Sequence, residues 1–200
     1  VVDLDELLTS TYSQRIRNGD SQWQAVLVNG RRLRSDEIAS CLVLPKAVPA
    51  RHVDPIDGRD RRYAYCEVSA AICSILAAIS GPVVNRPVPM SLTGTPRTSA
   101  QWLALARNAG VSIGGPDRSR GEFVEIAVIG GRVLSRSKVE PGIREAARSV
   151  SNMVPELAIS TFWEVRGSSW AFCGGSNVVD YAALGDASAD ALVEIMSSKS

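Results

Sequence analysis

The chain has 200 residues, 45% hydrophobic and 22% charged, with a formal charge of +1. That is ordinary globular composition for one domain or two small ones, long enough to bury a sizeable core. A charge so near zero argues against nucleic-acid or membrane-surface partners, and no signal peptide or membrane-length apolar run is visible. Cys41, Cys66, Cys73 and Cys173 show no CxxC spacing and His52 is the single histidine, so no Cys/His metal site is expected. The cysteines read as small core hydrophobes in a reduced, cytoplasmic protein. Lys46, Lys138 and Lys199 are the only lysines, and all other cations are arginine, which removes the flexible amine common at phosphate sites. The chain begins at Val1 rather than Met, so removal of an N-terminal segment is expected.

In chain order, Leu4, Leu8 and Tyr12 stand four apart and predict a first helix over 4–16, ended by Asn18-Gly19. A strand from Trp23 to Val28 meets Asn29-Gly30, the preferred two-residue hairpin pair, and returns through Arg31 to Arg34. Ser35-Asp36-Glu37 is a turn or short helix, and Ile38 to Leu44 reads as a buried strand. Pro45 to Asp60 is loop. His52, Asp54, Asp57 and Asp60 imitate a metal or acid–base site there, but nothing in the sequence fixes their geometry. A helix follows Arg61-Arg62, with Tyr65, Val68, Ile72, Ile75 or Leu76, and Ile79 on one face.

Val83-Val84 is a short strand. Thr98 and Gln101 have capping-box spacing at the start of a helix that Gly110 closes. Glu122 to Ile129 and Arg132 to Arg136 flank Gly130-Gly131, a second hairpin. Pro141 opens a helix with Ile143, Ala146, Ala147 and Val150 on its face. Leu157 to Val165 and Ser169 to Phe172 are strands, Cys173 to Asp180 a loop, and a last helix is capped by Asp186 or Ser188.

The order of these pieces resembles the ATP-grasp superfamily, in particular the ribosomal-protein-modification type of amino-acid and peptide ligases. Tyr63, Tyr65 and Glu67 open a helix that precedes Val83-Val84-Asn85-Arg86-Pro87. Gln101-Trp102-Leu103 begins a helix running to Gly110. Both are similar to the family's pre-ATP-grasp domain and linker helix. Val124 to Leu134 resembles its later hairpin, and the strands after Pro141 its final pair. The fold class implied is α/β (α+β): a pre-ATP-grasp-like layered region over 1–113 and a reduced ATP-grasp-like α+β region over 114–200.

Against that resemblance the chain departs in three ways. The family's nucleotide-clamping lobe would fall between Gly110 and Val124, where about a dozen residues stand against the roughly 30 that even a βαβ unit needs. The loop from Gly114 to Gly121 holds glycines and arginines, a weak phosphate signal. No lysine falls at the family's lysine positions, which removes charge neutralisation from phosphoryl chemistry. Gly174 and Ser176 stand where the family has its Glu and Asn metal ligands, and Ser160 or Thr161 where it has Asp; Asn177 and Asp180 are the nearby oxygen donors.

Three readings follow. The first is a non-catalytic ATP-grasp-like binding or partner subunit in peptide or natural-product biosynthesis, a homodimer or a companion of an intact ligase. It requires no cofactor, and its substrate-binding candidates are Glu67, Asn85, Arg86, Arg97 and Gln101. The second is an ATP-dependent carboxylate–amine ligase with a reduced lid, which needs ATP and Mg²⁺ and has Arg118, Arg120, Arg132 and Asp180 as nucleotide-binding candidates. The third is an α/β interaction module unrelated to ATP-grasp, whose hairpins at Asn29-Gly30 and Gly130-Gly131 present edge strands. No Ser-His-Asp set, Walker-type loop or aromatic-interleaved basic stretch is present.

Overall fold

The computed structural model describes residues 2–18, 20–44, 48, 50–89, 91–114 and 122–198. It is a mixed α+β architecture in two compact units. The first takes the chain as far as Gly94 together with the last residues from Met196, and the second is Thr95–Ile195.

In the first unit, α1 (Leu4–Leu8) is followed by three antiparallel strands, β1 (Thr11–Arg17), β2 (Asp20–Val26) and β3 (Arg32–Arg34), in the order β1-β2-β3. The helix predicted over 4–16 therefore stops at Leu8. Thr9 Oγ1 donates to the Asp5 carbonyl at 2.7 Å and Ser10 Oγ to that of Leu7 at 2.7 Å. These hydroxyls take up end carbonyls that would otherwise be unsatisfied. The Leu4–Leu8–Tyr12 spacing arose from a helix meeting a strand. Arg17 pairs with Asp20 across a tight turn in which Asn18 has φ 50°.

A second, parallel pair joins β4 (Cys41–Leu42) to β5 (Val83–Val84), with the long helix α2 (Arg61–Ala77) between them in sequence. The strand predicted over 38–44 shrinks to those two paired residues. Trp23 and Ala25 of β2 pack with Ile72, Ile75 and Leu76 of α2, and the indole N–H of Trp23 donates to the Ile75 carbonyl at 2.6 Å. Of the cysteines predicted as core residues, Cys41 packs against the core of the first unit and the others depart from that expectation. Cys66 is exposed, and Cys41, Cys73 and Cys173 are partly so. The buried positions of α2 begin at Ser69, which leaves Cys66, a turn earlier, in solvent.

In the second unit, α3 (Ser99–Asn108) opens with the predicted capping box. Then come β6 (Glu122–Ile129), β7 (Arg132–Leu134), α4 (Pro141–Ser151), β8 (Ala158–Arg166), β9 (Ser169–Ser176), α5 (Tyr181–Leu184) and α6 (Asp186–Ser197). The sheet is antiparallel throughout, in the order β7-β6-β8-β9. Gly130 and Gly131 take φ 56° and 81°, as a two-residue hairpin turn requires. Helices α3 and α4 cover one face. Trp102, Ala106, Ile143, Ala147 and Val150 meet Ile126, Val128, Ile159, Trp163 and Phe172 there. The stretch 173–176, expected as loop, continues β9 beyond a register shift opposite Phe162/Trp163. Its two glycines have low strand propensity, and pairing with β8 overrides it.

Candidate functional site

The β8–β9 register decides which side chains share the face turned away from α3 and α4. Trp163 and Ile159 enter the core, and so does Thr161, whose Oγ1 accepts the Trp163 indole N–H at 2.9 Å. Alternation then sends Ser160 and Phe162 to the other face. Ser160 pairs with Ser176 and Phe162 with Gly174. Of the two positions the sequence left open, Ser160 is therefore the one that shares a face with Gly174 and Ser176.

Ser160 is buried, and its hydroxyl donates to Glu125 Oε1 on neighbouring β6 at 2.6 Å. A cavity of about 200 Å³ lies alongside, lined by Phe123, Glu125, Ala127, Arg136, Asp180 and Leu184 among others. Asp180 caps α5 by accepting the Ala183 N–H at 3.1 Å and meets Arg136 Nη2 at 3.1 Å. Two hydroxyls and a glycine do not supply the hard anionic donors that Mg²⁺ takes from protein. Among the described residues, no three His, Cys, Asp or Glu side chains converge as a metal site. Those three positions do not fit a bound Mg²⁺, and the two carboxylates nearby are engaged, Glu125 by the Ser160 hydroxyl and Asp180 by Arg136.

At the end of β9 lies a polar cluster. Arg97 Nη1 stands 2.9 Å from Glu156 Oε2, with the two side chains 11% and 3% exposed. Glu156 Oε1 accepts the Thr95 N–H at 2.9 Å, while the Thr95 carbonyl accepts from Arg97 Nη1 at 3.1 Å and from Asn177 Nδ2 at 2.5 Å. The Arg97 guanidinium also lies over Trp102, 5.3 Å from the ring centroid. Trp102 in turn lies against Gly175, where an added Cβ would fall 2.7 Å from Cε3. Sequence reasoning named Arg97 but missed Glu156. The one available signal was a carboxylate set in the apolar run Met153-Val154-Pro155-Glu156-Leu157.

The other candidate residues are dispersed. Gln101 is taken up in the capping box, its Oε1 accepting the Thr98 N–H at 2.8 Å. Asn85 is buried with φ 52°. Arg86 donates to the carbonyls of Leu76, Ala77 and Ile79 at 3.1, 3.3 and 3.4 Å, where a cation also suits the helix dipole. Glu67 lies more than two turns back along the exposed side of α2, with no polar partner among the described residues. Arg132 meets Glu194 at 3.6 Å, a surface pair. Arg118 and Arg120 lie outside the described residues. His52, in the proline-rich loop, is bonded to Asp5 rather than to Asp54, Asp57 or Asp60.

No family model matches the sequence, and no curated protein matches it. Solved structures do match the fold. The macrocyclase MdnC, bound with precursor peptide MdnA, from Microcystis aeruginosa MRC has a TM-score of 0.73 at 10% identity, covering 94% of this chain and 87% of its own. The macrocyclase MdnB of the same organism gives 0.67 at 11%, covering 98% and 87%. A Chryseobacterium gregarium RiPP-associated ATP-grasp ligase, in complex with ADP and a leader and core peptide, gives 0.72 at 10%, covering 97% and 87%. The fold of this chain is therefore ATP-grasp-ligase-like, and a module of unrelated fold is set aside. Among the described residues, no helix is long and apolar enough to cross a membrane.

Proposed function

We propose that this protein is a non-catalytic ATP-grasp-like binding or partner subunit in the biosynthesis of a peptide or other natural product. The observation that carries the reading is the face shared by Ser160, Gly174 and Ser176. Those are the positions at which the family resemblance puts a metal-binding Asp, Glu and Asn. Here they offer two hydroxyls and a backbone. Phosphoryl transfer depends on metal and cation charge aimed at the transferring group, and these three positions keep no carboxylate to hold a metal, while neighbouring Glu125 accepts the Ser160 hydroxyl. The binding half of the reading draws on the solved structures of like fold that hold a precursor, leader or core peptide. Its partner is a second copy of the chain, an intact ligase or that ligase's peptide.

The test is thermal unfolding with and without ATP and MgCl₂, alongside an ADP-release assay. A ligand 100-fold above its Kd adds about 2.7 kcal/mol to stability. The expected result is an unchanged Tm and no ADP formed in the presence of any peptide. A nucleotide-dependent rise in Tm together with peptide-stimulated ADP release would establish the ligase reading in its place.

A further inference from the structure

In the first unit, β1 is an outer strand. It pairs with β2, and among the described residues no strand lies on its other side. All of Thr11–Arg17 is exposed except the half-buried Gln14, and Ile16 is 69% exposed. The strand lacks the proline, bulge or short length that usually closes an edge to further pairing. Arg17 and Asp20 flank the turn, so they form a hydrogen-bonded pair, and the alternate residues Tyr12, Gln14 and Ile16 turn their N–H and C=O groups outward.

The charge on this edge is one-sided. Trp23 and Ala25 face the core, and their partners Gln14 and Tyr12 share that side. Ser13, Arg15 and Arg17 therefore share the opposite, solvent side with Gln24 and, through β2, with Arg32 and Arg34. Arg34 is held by Asp36 at 2.6 Å. Arg15, Arg17 and Arg32 form no ion pair among the described residues, although Asp20 stands across from Arg17. A cavity of about 390 Å³ adjoins the strand, with Ser13, Arg15, Gln22, Gln24, Arg34 and the Arg34-bound Asp36 in its lining.

We propose that β1 accepts an extended acidic peptide as a fourth strand. The peptide backbone pairs with the outward groups of Tyr12, Gln14 and Ile16, and its carboxylates meet Arg15 and Arg17. Arg32 and Arg34, both on β3 two strands further in, supply long-range field rather than contacts. A second copy of this chain would bring an edge of the same positive sign, which disfavours self-pairing. The proposal rests on the binding-subunit reading, and the two fail separately: ADP release would remove that reading, whereas loss of peptide binding at β1 leaves the nucleotide result untouched.

The probe is a fluorescein-labelled alternating valine–glutamate peptide the length of β1, followed by fluorescence polarisation at low salt. Its comparisons are the valine–lysine analogue and a copy N-methylated at alternate amides. The expected result is binding of the acidic peptide alone, weakened about tenfold or more by Arg15→Glu with Arg17→Glu. The charge-matched control pair Arg59→Glu with Arg62→Glu, on exposed residues away from β1, should bind as the unmodified protein does. The N-methylated arm uses the unmodified protein, so it stands whether or not the variants fold. Equal binding of the lysine or N-methylated peptide overturns the proposal, as does no binding at all. Displacement of both glutamate peptides by octathymidylate at equal charge makes the surface a polyanion site and overturns it too.

Discussion

Arg97 and Glu156 form an ion pair, 2.9 Å between Nη1 and Oε2, with both side chains almost wholly withdrawn from water. A pair of this kind stabilises little against an apolar replacement, but removing one member leaves the other charge uncompensated. Arg97→Met should therefore cost about 3–5 kcal/mol. The double variant Arg97→Met with Glu156→Gln should cost less than Arg97→Met alone, because glutamine still accepts the Thr95 N–H and carries no charge. Urea unfolding followed by tryptophan fluorescence checks this. Costs of the two single changes that simply add would show that the pair is not coupled.

The two adjacent glycines of β9 should respond in opposite directions. A Cβ at Gly175 would meet Trp102 Cε3 at 2.7 Å and Cδ2 at 2.8 Å, and that indole is buried in the core. Gly175→Ala should destabilise by about 1–3 kcal/mol. At Gly174 nothing lies within 4 Å, and alanine restricts the unfolded chain more than glycine does. Gly174→Ala should be neutral or stabilising by about 0.5 kcal/mol. Paired urea titrations measure the difference. Equal midpoints for the two variants would contradict the close packing of Trp102 on Gly175.

These two residues also show what the sequence made legible. The Thr98–Gln101 capping box, Pro141 at a helix start and the Gly130-Gly131 turn were all readable, because each depends on backbone chemistry within a few residues. Glu156 and its partners were not, since the Thr95–Glu156 bond spans 61 positions. The extension of β9 through Gly174 and Gly175 was hidden for a related reason: its stability comes from pairing with β8 and packing under Trp102, and glycine records neither. The end of α1 depended on two hydroxyls, Thr9 and Ser10, folding back on carbonyls that an apolar periodicity passes over.

The cysteines should separate by reactivity. Cys66 is exposed on α2. Burial pushes the Cys73 thiol up, and also that of Cys41, where the nearby Arg86 guanidinium offsets it only in part. Since the thiolate is the attacking species, raised thiols react slowly. Ellman's reagent near pH 8 should modify one equivalent fast, and Cys66→Ser should abolish that phase while leaving the slower ones. A fast phase surviving in Cys66→Ser would place the most accessible thiol elsewhere.

Tyr181, the first residue of α5, should govern part of the alkaline limb of stability. Burial pushes its phenol up to about 12 from an ordinary 10.0. The neutral phenol is the form the folded chain prefers, so the stability it contributes is complete below pH 10.0 and is lost as the pH rises from there to about 12. Across that window the unfolded chain gives up this proton before the folded one does, and unfolding is favoured. Tyr181→Phe cannot ionise and should flatten the decline in urea midpoint over the same pH range. Absorbance at the tyrosinate band should show one phenol of the folded protein titrating late, and Tyr181→Phe should remove that step. A variant whose stability falls with pH as steeply as that of the parent would mean that some other group carries the alkaline loss.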